Sequence, residues 1–143
     1  MSSGKPSVTL VRRIKAPAAR VYAAWIDPAK VARWWAPAGV QVVVAEVDPR
    51  VGGAYRIRML GPGGDALEAG GVYLELTPPE RLVFSWALTP GSGRRSSVTV
   101  HIKADGPACE LTLTHEGDAD PDTWANRRVG WGQTLDRLMG EFE

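Results

Sequence analysis

The chain has 143 residues, the usual size of one domain, and its 44% hydrophobic and 23% charged residues are typical of a folded globular protein. Seventeen basic and sixteen acidic residues leave a net charge of +1, which argues against nucleic acid as a partner because phosphate binding needs a basic surplus or patch. The single cysteine, Cys109, excludes an intrachain disulfide, and we expect it to be an inert core residue.

The sequence pattern predicts no membrane span and no export signal. No stretch approaches the ~20 apolar residues that a spanning helix needs. Residues 1–15 carry no apolar run long enough for a signal peptide, so we expect a cytoplasmic protein. No repeat, low-complexity tract or linker divides the chain, and residues 1–143 are therefore predicted to be one domain with its core at about 7–142.

The first third of the chain predicts one strand followed by two helices. Ser7–Ile14 has the pattern of a first strand, and Pro17–Ile26 carries apolar residues at helical spacing. Asp27 ends that helix and is predicted to cap a second one over Pro28–Arg33, because an Asp followed by a first-turn Pro is a helix start signal. The second helix leads into Trp34-Trp35 and is expected to end before Pro37.

The middle of the chain predicts a meander of antiparallel strands. Val40–Val47 is Val-rich, and Tyr55, Ile57 and Met59 alternate with polar residues as in a half-buried strand. Four further alternating runs follow, separated by turn residues. Their apolar positions are Val72, Leu74 and Leu76; Leu82, Phe84, Trp86 and Leu88; Val98, Val100 and Ile102; and Cys109, Leu111 and Leu113. The pairs Gly52-Gly53 and Gly70-Gly71 are interpreted as bulges or tight bends.

The last element is predicted to be a long amphipathic helix, capped by Asp120-Pro121-Asp122. Its apolar stripe consists of Trp124, Trp131, Leu135, Leu138 and Phe142. The only large apolar surface available to this stripe is the sheet. Arg128 also lies on the stripe, either as a cavity-mouth cation for a carboxylate ligand or, as we favour, with its head in water. Gly130, Gly132 and Gly140 indicate a closely approached or bent backbone, because each costs about 1 kcal/mol in a helix.

The enzyme motifs are missing from the sequence, so we predict no catalytic residue, metal site or cofactor. There is no phosphate-binding glycine loop, nucleophile elbow or zinc-binding histidine pair. His101 is placed on the outer face, whereas His115 shares the inward phase of Leu111 and Leu113. His115 is either a partly buried residue bonded to backbone, which we favour, or an acid/base or ligand-orienting group with Glu46 or Glu75 as partner.

A cavity between sheet and helix would be lined by the same inward face that forms the core. We expect at least three of the aromatic residues on that face to contact a shared cavity. The predicted cavity residues are Trp34, Trp35, Tyr55, Ile57, Trp86, His115, Trp131 and Leu135.

Several short motifs, taken in order, resemble one family. They are Ala16-Pro17, Val21–Trp25, Asp27-Pro28, Trp34–Pro37, Asp48–Arg56, Gly71–Leu76, Pro78–Leu82, Leu111–His115 and Gly130-Trp131. From about Val8 to Phe142 the chain resembles bacterial proteins related to the C-terminal domain of the Hsp90 ATPase activator, within the START/Bet v 1-like superfamily. The resemblance implies an α+β helix-grip fold: a curved antiparallel sheet of six to seven strands over a long C-terminal helix, two short helices after the first strand, and a hydrophobic cavity.

Three functions are open at this point, because a fold does not fix a function. The first is a module that binds a hydrophobic or aromatic small molecule in the cavity. The second is an enzyme, a polyketide cyclase, aromatase or hydrolase, that uses His115 or an inward carboxylate as acid/base. Of these activities, the resemblance implies the polyketide cyclase and the aromatase. The third is a co-chaperone-like module that binds an Hsp90-type partner. A homodimer is a further expectation, based only on the frequency of symmetric pairs among soluble oligomers.

Overall fold

The computed structural model describes residues 7–89, 96–117 and 121–143, which form seven strands and three helices. In chain order the elements are β1 (Ser7–Ile14), α1 (Ala18–Ile26), α2 (Pro28–Trp34), β2 (Gln41–Val47), β3 (Ala54–Leu60), β4 (Ala66–Thr77), β5 (Arg81–Thr89), β6 (Ser96–Asp105), β7 (Ala108–Glu116) and α3 (Pro121–Gly140). Every predicted strand and helix is present, although β4 begins at Ala66, six residues before the first position predicted for it, Val72. The predicted Asp120 cap lies outside the described residues.

The seven strands form one antiparallel sheet in the order β1-β7-β6-β5-β4-β3-β2. Strands β2 to β7 form a meander, and the two helices after β1 let the first strand pair with the last, with Val8 opposite His115. Asp27 caps α2 as predicted, since its side chain accepts a hydrogen bond from the amide of Ala29 at 3.0 Å. The curved sheet and the C-terminal helix make this an α+β helix-grip fold.

The sheet and the helices bury one hydrophobic core. From α3 the buried residues are Trp124, Trp131, Thr134, Leu135 and Leu138, and Phe142 is partly buried against the same core. Arg128 is exposed, in agreement with the solvated alternative. His101 is exposed on the outer face and Cys109 is buried, both as predicted.

One predicted strand phase is wrong. In β4 Ala69 and Tyr73 are buried, and Leu74 is 51% exposed. The reason is a register shift between Tyr73 and Glu75 in the pairing with β5, because one extra residue reverses the alternation of side chains. Beyond the shift Leu76 packs against the core again.

The glycine predictions have mixed outcomes. Gly52 has φ +84° in a tight bend, as predicted. Gly71 serves a close approach rather than a bulge, because a Cβ there would overlap the backbone oxygen of Ser85. Of the two explanations offered for the α3 glycines, the close approach of another part of the chain is wrong. A Cβ on Gly130 or Gly140 would meet no atom within 4 Å, and one on Gly132 would make only an ordinary contact with Arg12.

Candidate ligand-binding pocket

A pocket of about 350 Å³ lies between the first half of α3 and the sheet and opens to solvent. Its lining consists of Trp35, Ala36, Pro37, Val40, Met59, Leu67, Ala69, Trp86, Leu88, Thr123, Asn126, Arg127, Gly130, Trp131 and Thr134. The volume is within the range of about 300–1,000 Å³ that small-molecule sites occupy. Most of the lining side chains are apolar, and this composition is also typical of such sites.

Three parts of the chain build the pocket walls. Strands β3 to β5 supply Met59, Leu67, Ala69, Trp86 and Leu88. The segment after α2 supplies Trp35, Ala36, Pro37 and Val40. The α3 wall spans residues 123–134, whose lining positions recur every three or four residues and so share one helix face.

The segment after α2 is held in place by two polar residues of α3. One guanidinium nitrogen of Arg137 donates to the carbonyl oxygens of Ala36, Pro37 and Val40 at 2.9, 3.2 and 2.9 Å. The side-chain oxygen of Gln133 accepts from the amide of Ala38 at 3.2 Å. Charge-assisted hydrogen bonds to three carbonyls fix this wall of the pocket relative to α3. The sequence pattern gave no sign of this role beyond placing Arg137 off the apolar stripe.

His115 lies fully buried behind the pocket wall, in a chain of hydrogen bonds. The indole N–H of Trp131 donates to Nδ1 at 2.9 Å, so Nδ1 is the acceptor and the imidazole proton is on Nε2. Nε2 is 2.6 Å from the hydroxyl of Ser96, which in turn donates to the carbonyl oxygen of Trp86 at 3.0 Å. The favoured interpretation, a histidine bonded to backbone, is wrong about the partners, because both ring nitrogens bond to side chains.

Burial and the nearby Arg127 lower the pKa of His115 from 6.5 to about 3. The imidazole is therefore neutral near pH 7, and the proton assignment above fits that state. Neither suggested carboxylate partner is near: Glu46 pairs with Arg56 at 2.9 Å and Glu75 pairs with Arg81 at 2.9 Å.

Arg127 is the cation of the pocket. Its guanidinium carbon lies 4.3 Å from the ring centroid of Trp86 and 5.8 Å from that of Trp124. Desolvation by burial lowers the pKa of Arg127. The sequence pattern drew attention to its neighbour Arg128 instead, because both positions fall near the apolar stripe at helical spacing.

The eight predicted cavity residues separate into two groups. Trp35, Trp86 and Trp131 line the pocket. The other five, Trp34, Tyr55, Ile57, His115 and Leu135, are buried outside the lining. Sequence reasoning missed Met59, Leu67 and the polar α3 wall at Thr123, Asn126 and Arg127 as lining residues.

A closed aromatic cluster explains why Trp34 and Tyr55 are not in the pocket. The cluster consists of Trp25, Trp34, Trp35, Tyr55, Tyr73 and Phe84, whose neighbouring ring centroids lie 4.6–6.4 Å apart. The indole N–H of Trp34 is bonded to the carbonyl oxygen of Ala24 at 3.0 Å. These rings pack against one another next to α1 and α2, and the pocket described above lies beside them, beneath residues 123–134 of α3.

Neither a metal site nor a membrane-spanning helix emerges from the described ranges. No three His, Cys, Asp or Glu side chains there are grouped so that they could hold a metal ion. None of the helices in residues 7–89, 96–117 and 121–143 is long and apolar enough to cross a membrane.

Fold and pocket together define the class: a helix-grip α+β domain with an apolar opening between its sheet and its C-terminal helix. The chain belongs to the family described as Activator of Hsp90 ATPase homolog 1-like protein, whose model matches residues 15–143. This confirms the resemblance drawn from the sequence motifs. No curated protein matches the chain.

Solved structures with the same fold agree with this assignment. Protein CV1439 from Chromobacterium violaceum is 33% identical, with a TM-score of 0.88 and 96% of each chain covered. The AHSA1 (SPO3351) protein from Silicibacter pomeroyi is 25% identical, with a TM-score of 0.84 over 95% of this chain and 96% of that one. DynU16, from the dynemicin biosynthetic locus, is 22% identical with a TM-score of 0.76, over 93% of this chain and 45% of DynU16. At that identity the likeness to DynU16 concerns the fold alone.

Proposed function

We propose that this protein binds a hydrophobic or aromatic small molecule in the pocket between the sheet and α3. The observation that carries the proposal is an apolar lining with three tryptophan rings, Trp35, Trp86 and Trp131, around an opening of about 350 Å³. Large aromatic side chains provide contact area at a low cost in conformational entropy and are common in ligand sites. The proposal invokes no cofactor and no metal.

The expected affinity follows from the apolar area that a ligand would bury. Burying one group the size of a large apolar side chain contributes roughly 1.5–3 kcal/mol. Micromolar binding corresponds to about 8 kcal/mol, and part of the gross gain is lost to the cost of association. A ligand with one ring or two fused rings and a substituent therefore has about the apolar surface that micromolar binding requires.

An enzyme that uses His115 as acid/base has less support. A general base must reach the proton that it abstracts, and its pKa should lie near the working pH. His115 has both ring nitrogens in hydrogen bonds to Trp131 and Ser96, and its pKa is lowered to about 3. Among the described residues that line the pocket there is no carboxylate that could replace it.

A co-chaperone-like role is the second candidate, because the description of the family names the Hsp90 ATPase. Such a role needs a contiguous exposed apolar patch of several hundred Å². Val43 and Val44, 44% and 36% exposed on β2, are adjacent apolar residues at the edge of the sheet. The small-molecule proposal is preferred because the pocket offers a concave apolar surface, whereas an edge strand offers a narrow one.

The proposal is tested by thermal unfolding against fatty acids, flavonoids, polyketide-like aromatics and sterols. A ligand at 100 times its dissociation constant stabilises by about 2.7 kcal/mol, which raises the midpoint by several degrees in a domain of this size. The Gly130→Leu variant is the blocking control: Gly130 lines the pocket, and a Cβ there meets no atom within 4 Å, so the added side chain fills the opening. Gly140→Leu is the matched control on the same helix, outside the lining.

We expect one chemical class to raise the midpoint of the wild type and of Gly140→Leu but not of Gly130→Leu. A shift that persists in Gly130→Leu would place the ligand elsewhere and contradict the proposal. A panel without any hit would also contradict it, and binding to an Hsp90-type chaperone would then be measured directly.

A further inference from the structure

The electrostatic character of the pocket is set by one residue. Among the fifteen described residues that line it, Arg127 is the only one with an ionisable side chain. The remaining side chains are apolar or neutral, so a ligand in the pocket would meet a single full charge, and that charge is positive. The guanidinium carbon lies 4.3 Å from the ring centroid of Trp86, itself a lining residue.

This cation has no counter-ion in the described part of the chain. The ion pairs found there involve Arg12, Arg13, Arg33, Arg50, Arg56 and Arg81, and none involves Arg127. The Nε of Arg127 is buried and has no hydrogen-bond partner among the described residues. A guanidinium stays charged in proteins, and a partly buried charge without a counter-ion is unfavourable.

A bound anion would satisfy this arginine. The guanidinium group presents several N–H donors in a planar fork that matches a carboxylate, and the attraction is stronger in a desolvated site than in water. The apolar body of such a ligand would lie on Met59, Leu67 and Leu88 of the sheet, across the pocket from α3. The Arg127 cation and the apolar wall of the sheet therefore match the acid group and the apolar body of one amphipathic molecule.

We infer, resting on the function proposed above, that the ligand is an apolar or aromatic monoanion of the carboxylic acid class whose acid group binds Arg127. Arg127 is then a specificity residue: it selects acids over neutral molecules of the same shape. The alternative is that Arg127 only packs on Trp86 and covers its ring, in which case the charge of the ligand has no influence on affinity.

The two interpretations are separated by a pair of probes with one ring system, 2-naphthoate and 2-naphthamide. They have almost the same shape and differ in charge. Their affinities are measured by isothermal titration calorimetry for the wild type, Arg127→Gln and Arg128→Gln. Arg128 is the matched control, because it is the adjacent residue, is exposed, and its substitution changes the net charge equally.

We expect the wild type to bind 2-naphthoate at least about tenfold more tightly than 2-naphthamide, the effect of one charge-assisted hydrogen bond. Arg127→Gln should abolish this preference, so that its affinities for 2-naphthoate and 2-naphthamide lie within about twofold of each other. Arg128→Gln should keep the preference, because an exposed charge is screened by salt.

The outcomes distinguish the inference from the proposed function. If both probes bind the wild type equally well, the inference is overturned and the small-molecule function stands. If Arg128→Gln loses the preference as fully as Arg127→Gln, the effect is one of overall charge and the inference is wrong. If neither probe binds the wild type, the inference is overturned, and the proposed function is decided by the thermal-unfolding panel described above. The comparison of the two probes on the wild type does not depend on the folding of any variant.

Discussion

The closed aromatic cluster and the pocket occupy two halves of the same interior, and they differ in what covers the sheet. Beneath α1 and α2, six aromatic side chains are in contact, and Trp25 and Trp34 lie 4.6 Å apart between ring centroids. Beneath the first half of α3, the facing positions include Gly130 and Thr134, which do not fill the space above Ala69. The interior is therefore packed in one half and open in the other.

Trp35 shows that residue type does not decide between these two environments. Its ring contacts Tyr55 and Phe84 in the closed cluster at 5.8 and 5.7 Å, and it also lies 5.6 Å from Trp131 at the pocket. One face of the same side chain is thus part of the core, and the other face is part of the pocket wall. Whether a tryptophan lines the pocket therefore depends on whether one of its faces is left uncovered, and not on the residue type alone.

The largest expected effect is a difference in the free energy of unfolding lost by alanine variants in the two halves. Trp34→Ala should reduce the free energy of unfolding by about 3–5 kcal/mol, because the fully buried ring fills space that its aromatic neighbours cannot close. Trp86→Ala should cost about half as much, since one side of that ring already borders the open pocket. Chemical denaturation with a linear extrapolation measures both values. Equal losses would contradict the distinction between a closed and an open half.

A second effect concerns the boundary between the pocket wall and the sheet, where His115 is buried. Burial lowers the pKa of His115 from 6.5 to about 3, so between these pH values the unfolded chain binds a proton that the folded chain does not. Stability is then full above pH 6.5 and falls as the pH drops toward 3. Between pH 7.5 and 5 the wild type should lose about 2 kcal/mol more than His115→Gln.

The control for this prediction is the other histidine. His101 is exposed on the outer face, and His101→Gln should keep the pH dependence of the wild type. A second measurement covers the case in which His115→Gln does not fold: the carbon-bound imidazole protons of His115 in the wild type should show no titration between pH 7.5 and 5. A titration with a midpoint near 6.5 would refute the buried, neutral histidine.

The fold could be predicted from the sequence because it depends on local signals. Alternation marked the strands, Asp27-Pro28 marked the start of α2, and the stripe from Trp124 to Phe142 marked the face of α3. The phase of β4 as far as Leu74 could not be predicted, whereas Leu76 beyond the register shift packs against the core as expected. A register shift depends on the pairing with β5, which the sequence of one strand does not contain.

The candidate site could be predicted only in part, for a related physical reason. Trp35, Trp86 and Trp131 were among the predicted residues that line the pocket, because inward aromatic positions follow from periodicity. An inward residue lines the pocket only where the helices leave it uncovered. The sequence does not show how far α1 and α2 extend over the sheet. The choice of Arg127 over Arg128 depends on the rotation of α3 by one residue, which the apolar stripe does not fix.

The smallest expected effect is a change in the free energy of unfolding at Gly130. It tests directly whether the space beside this residue is open. Gly130→Ala should raise the free energy of unfolding by about 0.5–1 kcal/mol, because alanine is the better helix former and a Cβ there meets no atom within 4 Å. Gly71→Ala should instead lower the free energy of unfolding, since its Cβ would overlap the backbone of Ser85 where β4 pairs with β5. Both values come from the same denaturation experiment. A loss of stability in Gly130→Ala would mean that the space above this residue is filled by the protein itself, and the open half of the interior would then be as closed as the other.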